Sequence, residues 1–263
     1  METKAINHPK LCPECGAKLN SDVVDLYNKG NEAGMLNAHL AAYQYFLKSA
    51  EQGYAPAQCN LAYCYERGIG IPQDLIKAAI WYKKSAEQGY APAQCNLGWC
   101  YECGKGVLLD IDKAIELYTK SAEQGYAPAQ CNLGFCYEKG NGLTPNCAKA
   151  VEWYRESAEQ GNPAAQYYLG ECYEAGKSVI QDISKALDWY TSSAELGYPT
   201  AQYYLGHCCE TGKGVPKNLE KAIEWYSMAA GHGHINARQH LENLRKQELI
   251  QATEATTIIK QDV

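Results

Sequence analysis

A thirteen-residue block that recurs at a fixed interval constrains this chain more than any other feature. The block SAEQGYAPAQCNL occupies residues 49–61, 85–97 and 121–133, so each copy begins 36 residues after the one before it. The same register continues more loosely, without insertion, to residue 233. A period of roughly 20–50 residues is typical of repeat proteins, in which each unit buries its apolar face only against its neighbours. Residues 54–233 are therefore predicted to hold five units of 36 residues.

Each unit is predicted to contain two helices. The first begins near Pro56, whose fixed φ suits the first helical turn, and ends at Gly68. The second follows Asp74, a residue that caps helix N-termini, and ends near Gly89. Apolar residues recur at helical spacing, and no alternation typical of a β-strand is visible. The pattern predicts an all-α solenoid of helix-turn-helix repeats with a period of 36 residues.

The two ends of the repeat array differ from its middle, as expected when the last unit on each side must face solvent. Residues 21–53 keep the pattern of the second helix but have a degenerate first helix, which predicts an N-terminal capping repeat. Residues 234–250 predict a charged capping helix whose Leu241 and Leu244 cover the last unit. Residues 251–263 have too little apolar surface to pack, and are predicted to be a disordered tail.

Composition excludes several classes of function. Twenty-four basic against 30 acidic residues give a net charge of −6, which argues against a nucleic-acid-binding protein. No run approaches the roughly 20 apolar residues of a membrane-spanning helix, so no membrane insertion is expected. Residues 1–20 contain no apolar segment of the secretory type, which predicts a cytoplasmic, reducing location. The 13 cysteines are accordingly expected to be thiols or metal ligands.

The repeat sequence resembles a known family. Residues 91–125 carry the pattern APAQxxLGxxYxxGxGVxxDxxKAxxxYxxSAEQG, which resembles the Sel-one-like repeat (SLR), a relative of the tetratricopeptide repeat. The resemblance covers about residues 37–237 and implies a right-handed α/α superhelix that holds partner proteins, usually without catalysis. In secreted members a disulfide joins the two helices of each repeat. This chain has Ala86 and Gln94 at those positions, so the resemblance does not imply such disulfides here.

The N-terminal segment, residues 1–20, carries a separate signal. Its Cys12-Pro-Glu-Cys15 sequence resembles the first knuckle of a zinc ribbon, in which two thiolates supply half of a tetrahedral site. No second knuckle follows. His8 is a candidate third ligand, but these ligands do not close a zinc site, so zinc at Cys12 and Cys15 predicts a homodimer in which two such half-sites combine. The alternative interpretation is a vestigial segment. A zinc- or thiol-dependent protein, or a hydrolase using these cysteines, is the alternative to a binding scaffold.

The resemblance to tetratricopeptide repeats also predicts a binding surface on the inner, concave face of the first helices. Asparagines, aromatic residues and glutamates recur there in register, and an extended segment of basic or amide-rich character is the expected ligand. The opposing interpretation is that the aromatic residues only pack along the superhelix. The predicted partner-binding residues are Cys59, Asn60, Tyr63, Glu66, Arg67, Cys95, Asn96, Trp99, Glu102, Asn132, Phe135 and Glu138. No catalytic residues are predicted.

Overall fold

The predicted fold class is confirmed. The computed structural model describes residues 21–244 and residue 246, and these form helices and turns without a β-strand. The chain divides into two compact units, residues 1–145 and residues 146–263. The predicted knuckle at Cys12 and Cys15, the end of the predicted capping helix and the predicted tail lie outside the described residues.

Twelve helices with fully described bounds follow one another along the described chain, and residues 235–244 are also helical. The amino-terminal unit contains α1 (Ser21–Met35), α2 (His39–Glu51), α3 (Ala55–Arg67), α4 (Leu75–Glu87), α5 (Ala91–Cys103), α6 (Ile111–Glu123) and α7 (Ala127–Lys139). The carboxyl-terminal unit contains α8 (Cys147–Glu159), α9 (Pro163–Ala175), α10 (Ile183–Glu195), α11 (Pro199–Thr211) and α12 (Leu219–Gly231). Within the described residues, none of these helices is long and apolar enough to cross a membrane.

The predicted helix boundaries are confirmed, with local causes for each. Helix α3 has Pro56 in its first turn and is followed by Gly68 in the left-handed conformation, at φ 70°. Helix α4 begins after Asp74, whose side chain accepts a 3.0 Å hydrogen bond from the backbone N–H of Lys77. It ends at Glu87, two residues before the predicted Gly89. The same pattern of caps recurs in the later repeats.

The two helices of each repeat approach closely because one side of the contact carries almost no side chain. The rings of Tyr82 on α4 and Tyr118 on α6 are fully buried. Gly98 on α5 faces the second of these rings, and a Cβ atom built at Gly98 would lie 2.9 Å from Tyr118 Cε1. The recurring small residues predicted from the sequence therefore make room for a buried tyrosine ring.

The block that repeats most strictly supplies hydrogen bonds between consecutive helices, both within a repeat and between repeats. Ser85 Oγ donates a 2.7 Å hydrogen bond to the carbonyl oxygen of Ala55. Gln58 Nε2 donates to the carbonyl oxygen of Ala50 at 3.2 Å, and its Oε1 accepts from Gln88 Nε2 at 2.6 Å. These bonds satisfy buried polar groups at the junctions between consecutive helices. Repetition of these serines and glutamines is therefore explained by packing, and the binding surface has to be sought at other positions of the repeat.

The last described residues pack as the sequence suggested. Leu241 and Leu244 are buried in a cluster with Tyr226 and Ala222 of α12. The division into five repeats between two caps remains a prediction.

Candidate partner-binding surface

Helices α3, α5 and α7 present an aromatic side chain at the same helical position. Tyr63 is 45% exposed, and Trp99 and Phe135 are half-buried. Each stands three residues after an asparagine, so amide and aromatic side chains alternate along one face of each helix. The structure thus brings six of the predicted contact residues to the surface of the amino-terminal unit.

The asparagines connect consecutive first helices. Asn96 Nδ2 lies 3.8 Å from the Sγ atom of Cys59, and Asn132 Nδ2 lies 3.6 Å from the Sγ atom of Cys95. Asn60 Nδ2 donates to Asn31 Oδ1 at 3.2 Å. Because Nδ2 makes these contacts, the carbonyl oxygen Oδ1 is the atom through which each amide would meet a ligand N–H.

Two predicted contact residues are not accessible, which corrects the predicted face. Cys59 is 5% exposed and Cys95 is 4% exposed. Burial raises the pKa of each thiol to about 12, so both remain protonated at neutral pH. They lie beneath the asparagines because the first helices pack against each other along this line. A partner would therefore meet the asparagine side chains instead of the sulfur atoms.

The predicted acidic row also lies beneath the surface. Glu66 accepts a 2.7 Å hydrogen bond from the hydroxyl of the buried Tyr82. Glu102 accepts from the hydroxyl of Tyr118 at 2.7 Å and from Asn141 Nδ2 at 3.0 Å. The expectation of a basic or amide-rich ligand depended on exposed carboxylates, and these carboxylates are engaged within the protein.

Cations cover the aromatic rings on the outside. Lys105 Nζ lies 3.7 Å from the centroid of the Trp99 ring. The corresponding distances are 5.7 Å from Arg67 Cζ to the ring of Tyr63 and 5.6 Å from Lys139 Nζ to the ring of Phe135. Contacts of this kind are typical cation–π interactions. Sequence analysis missed two of these cations, although the spacing of four residues between Phe135 and Lys139 was a usable signal.

We name the exposed surface formed by these side chains the amino-terminal stripe. Its members are Asn60, Tyr63, Arg67, Asn96, Trp99, Lys105, Asn132, Phe135 and Lys139.

The buried thiols of the helical repeats are unsuited to catalysis. Burial raises the pKa of Cys64 to about 11 and that of Cys100 to about 12, which disfavours the reactive thiolate. The eleven cysteines of the described part are free thiols. Within that part, no group of three or more His, Cys, Asp or Glu residues could hold a metal ion. Zinc binding by Cys12 and Cys15 remains a prediction about residues outside it.

Stacked helix pairs in a repeated register define a helical repeat protein. The family model for the Sel1 repeat matches six consecutive segments of the chain: residues 25–54, 55–90, 91–126, 127–162, 163–198 and 199–234. The chain therefore belongs to the Sel1 repeat family, which confirms the resemblance seen in the sequence. The first segment overlaps the range predicted as an N-terminal capping repeat, residues 21–53, and extends one residue beyond it.

Similar proteins of known structure or name support this assignment. A Sel1 repeat protein from Oxalobacter formigenes is 33% identical, with a TM-score of 0.72 over 84% of this chain and 87% of that one. An immunity protein, Pa5087 of Pseudomonas aeruginosa, is 22% identical with a TM-score of 0.56, over 81% of this chain and 83% of that one, and shares the fold. The rat DAP3-binding cell death enhancer 1 is 43% identical over 51 residues, which are 19% of this chain and 10% of that protein. The chain thus spans about a tenth of the length of this curated relative.

Sel1 repeat proteins are generally protein-interaction scaffolds and are generally non-catalytic. The alternative of a zinc- or thiol-dependent protein or a hydrolase has no support from the family or the fold.

Proposed function

We propose that this protein is a non-catalytic interaction scaffold that binds an extended segment of a protein partner along the amino-terminal stripe. The observation that carries the proposal is the exposure of one amide and one aromatic side chain on each of three successive first helices. Residues 54–140 supply all of them. These first helices are the ones expected to line the concave face.

The stripe has the composition of a binding surface. Aromatic side chains provide most of the binding energy in many interfaces, and an amide oxygen can fix the register of an extended backbone. Trp99 and Phe135 use part of their rings for packing, while Tyr63 on α3 is the most exposed of the three. The strictly repeated serines and glutamines are already hydrogen-bonded within the protein. The stripe therefore supports the proposal as a part of the repeat that remains available to a partner.

The finer features of the proposal are a protein partner, a reducing cytoplasmic location and the possibility of a homodimer through the N-terminal cysteines. Free thiols throughout the described part support the reducing location. The acidic net charge of −6 supports a protein partner over a nucleic acid.

The experiment is affinity purification with the intact chain, followed by titration of the recovered partner against a variant carrying Asn96→Ala and Trp99→Ala. The expected result is a loss of about 2 kcal/mol or more of binding free energy, which is roughly a 30-fold weaker affinity. The helical circular dichroism signal is expected to be unchanged.

The matched control is Trp189→Ala, which removes the same type of side chain from the second helix α10 in the other unit. We expect this control to bind as the unchanged protein does. Equal binding by the double variant and the unchanged protein, with both folded, would contradict the proposed site.

A further inference from the structure

The outermost charges on the amino-terminal stripe are positive. The side chain of Arg67 is 60% exposed, whereas that of the adjacent Glu66 is 10% exposed and lies 3.6 Å away. Lys139 and Glu138 repeat this arrangement, with side-chain exposures of 53% and 9% and a separation of 3.3 Å. A segment that approaches this face therefore contacts the exposed cations first, while the carboxylates lie beneath them and are largely buried.

The middle cation of the stripe is held by a ring. The Lys105 ammonium lies over Trp99, while the two oxygens of Glu102 accept from Tyr118 and Asn141. A carboxylate placed above such a cation gains an ion pair while the ring still contacts the other side of the cation. The ends of α3 and α7 and the turn after α5 thus each offer one cation backed by one aromatic ring.

The spacing of the first helices indicates how far apart the groups of a ligand must be to pair with successive cations. Contacts between Asn96 and Cys59 and between Asn132 and Cys95 show that α3, α5 and α7 are direct neighbours. Neighbouring helices are about 8–10 Å apart. A polyproline II segment rises about 3.1 Å per residue and has three residues per turn, so one turn covers about 9 Å and returns to the same side.

We propose that the amino-terminal stripe binds an acidic protein segment in an extended, polyproline-II-like conformation, with a carboxylate at about every third residue. Each carboxylate pairs with Arg67, Lys105 or Lys139, and apolar side chains between them contact the aromatic rings. This inference rests on the proposed function and specifies the chemistry of the partner. Three separate cations, two of them paired with a carboxylate beneath, suit spaced side-chain charges better than the continuous charge of a nucleic acid.

The test uses fluorescence anisotropy with the full chain and synthetic peptides of about ten residues. One peptide carries Glu at every third position between Leu, Pro and Ser residues, and a matched peptide carries Lys at those positions. We expect the acidic peptide to bind about tenfold more tightly or better, and its affinity to fall as salt is raised because exposed ion pairs are screened.

A charge-reversal variant decides which residues are responsible. The variant Arg67→Glu, Lys105→Glu and Lys139→Glu is expected to lose the acidic peptide by about tenfold or more and to prefer the Lys peptide. The control makes the same change in net charge at exposed lysines of second helices, which are Lys83, Lys120 and Lys185. Circular dichroism checks that both variants remain folded, and the control is expected to keep its preference for the acidic peptide.

The outcomes separate this inference from the proposed function. Absence of a preference for the acidic peptide, while the Asn96→Ala, Trp99→Ala variant still loses the natural partner, would overturn the inference and leave the scaffold function standing. If neither the peptides nor the partner depend on the stripe, both proposals are wrong. Tighter binding of a single-stranded oligonucleotide than of the acidic peptide would also overturn the inference.

Discussion

The first helices of the two units carry different side chains at the same repeat positions. In the amino-terminal unit, the stripe presents an asparagine and an aromatic residue on each first helix, with a cation at the end of the helix or in the turn that follows it. In the carboxyl-terminal unit the asparagine position holds tyrosine, and the aromatic position holds glutamate or histidine. We call this second surface the carboxyl-terminal stripe. Its members are Tyr168, Glu171, Tyr204, His207 and Lys213.

Polar groups of the carboxyl-terminal stripe form hydrogen bonds and an ion pair within the protein. Glu174 accepts hydrogen bonds from the hydroxyl of Tyr190 at 2.7 Å and from that of Tyr204 at 2.5 Å, and it also pairs with Lys213. Glu171 accepts from the hydroxyl of Tyr167 at 3.2 Å. A tyrosine in the asparagine position is long enough to reach the glutamate of the preceding repeat. Tyr204 therefore gives Glu174 a donor from the next repeat, and Lys213, whose side chain is 48% exposed, pairs with the same carboxylate.

The largest expected effect is on stability, when a tyrosine hydroxyl that donates to Glu66 or to Glu174 is removed. Tyr82→Phe removes the buried hydroxyl that donates to Glu66, and we expect it to lower the free energy of unfolding by about 2–3 kcal/mol. Tyr190→Phe leaves Glu174 with Tyr204 and Lys213, so the expected cost is only about 1 kcal/mol. Urea unfolding measures both. Equal costs would show that the additional donors do not support Glu174.

A second test removes one cation from each stripe. Lys213→Ala is expected to cost about 1 kcal/mol of stability because it breaks an ion pair with a half-buried carboxylate. Lys105→Ala removes a contact with the Trp99 ring and is expected to cost about 0.5 kcal/mol.

The loss of stability in acid should also differ between Lys213→Ala and the unchanged protein. Burial opposes ionisation of Glu174, but hydrogen bonds from Lys213, Tyr204 and Tyr190 outweigh it and lower the pKa of the carboxyl below 4.5. A carboxyl with a lowered pKa in the folded state contributes stability that is present above its unfolded pKa and lost as the pH falls through the lowered value. Lys213→Ala should therefore lose less stability than the unchanged protein below about pH 4.5. Thermal unfolding at several pH values would contradict this if the two curves were parallel.

The smallest expected effect concerns the helical residues 235–244. The Nδ1 atom of His234 accepts a 3.2 Å hydrogen bond from the backbone N–H of Ala237, and its ring stacks on Tyr203 at 4.6 Å. Burial lowers the pKa of His234 below 6.5. Nearby, His240 Nε2 lies 3.2 Å from the Tyr203 hydroxyl, and its Nδ1 lies 3.7 Å from Glu210.

A histidine with a lowered pKa contributes stability that is present above 6.5 and declines as the pH falls below it, because the unfolded state binds the proton more readily. Protonation also removes the acceptor for Ala237. We expect less than about 1 kcal/mol of local destabilisation between pH 7 and pH 5, seen as faster hydrogen exchange in residues 235–244. Helices α3 to α7 provide the internal reference.

His234→Asn keeps an acceptor for the first turn without a titratable group, so it should remove this pH dependence. An unchanged pH dependence in that variant would assign the effect to His240 or another group.

Most of the fold was predictable because its causes are local. The period of 36 residues, the proline in the first turn, the Asp74 cap and the left-handed Gly68 each act within a few residues of where they stand in the chain. The small residues facing Tyr118 also repeat in register, so the sequence indicated where helices approach closely. Family membership followed from the same repeated residues.

The candidate site was predictable only in part. The sequence by itself placed the asparagines and aromatic residues of α3, α5 and α7 on one face. It did not reveal that Cys59 lies beneath that face, nor that Arg67 faces solvent while its neighbour Glu66 is buried. Those outcomes depend on partners distant in sequence, such as Tyr82, 16 residues after Glu66, and Asn96, 37 residues after Cys59. The sequence by itself determines which charged side chains are present and where they lie along each helix. Only the packing of neighbouring helices decides which of these side chains are buried and lose their hydration.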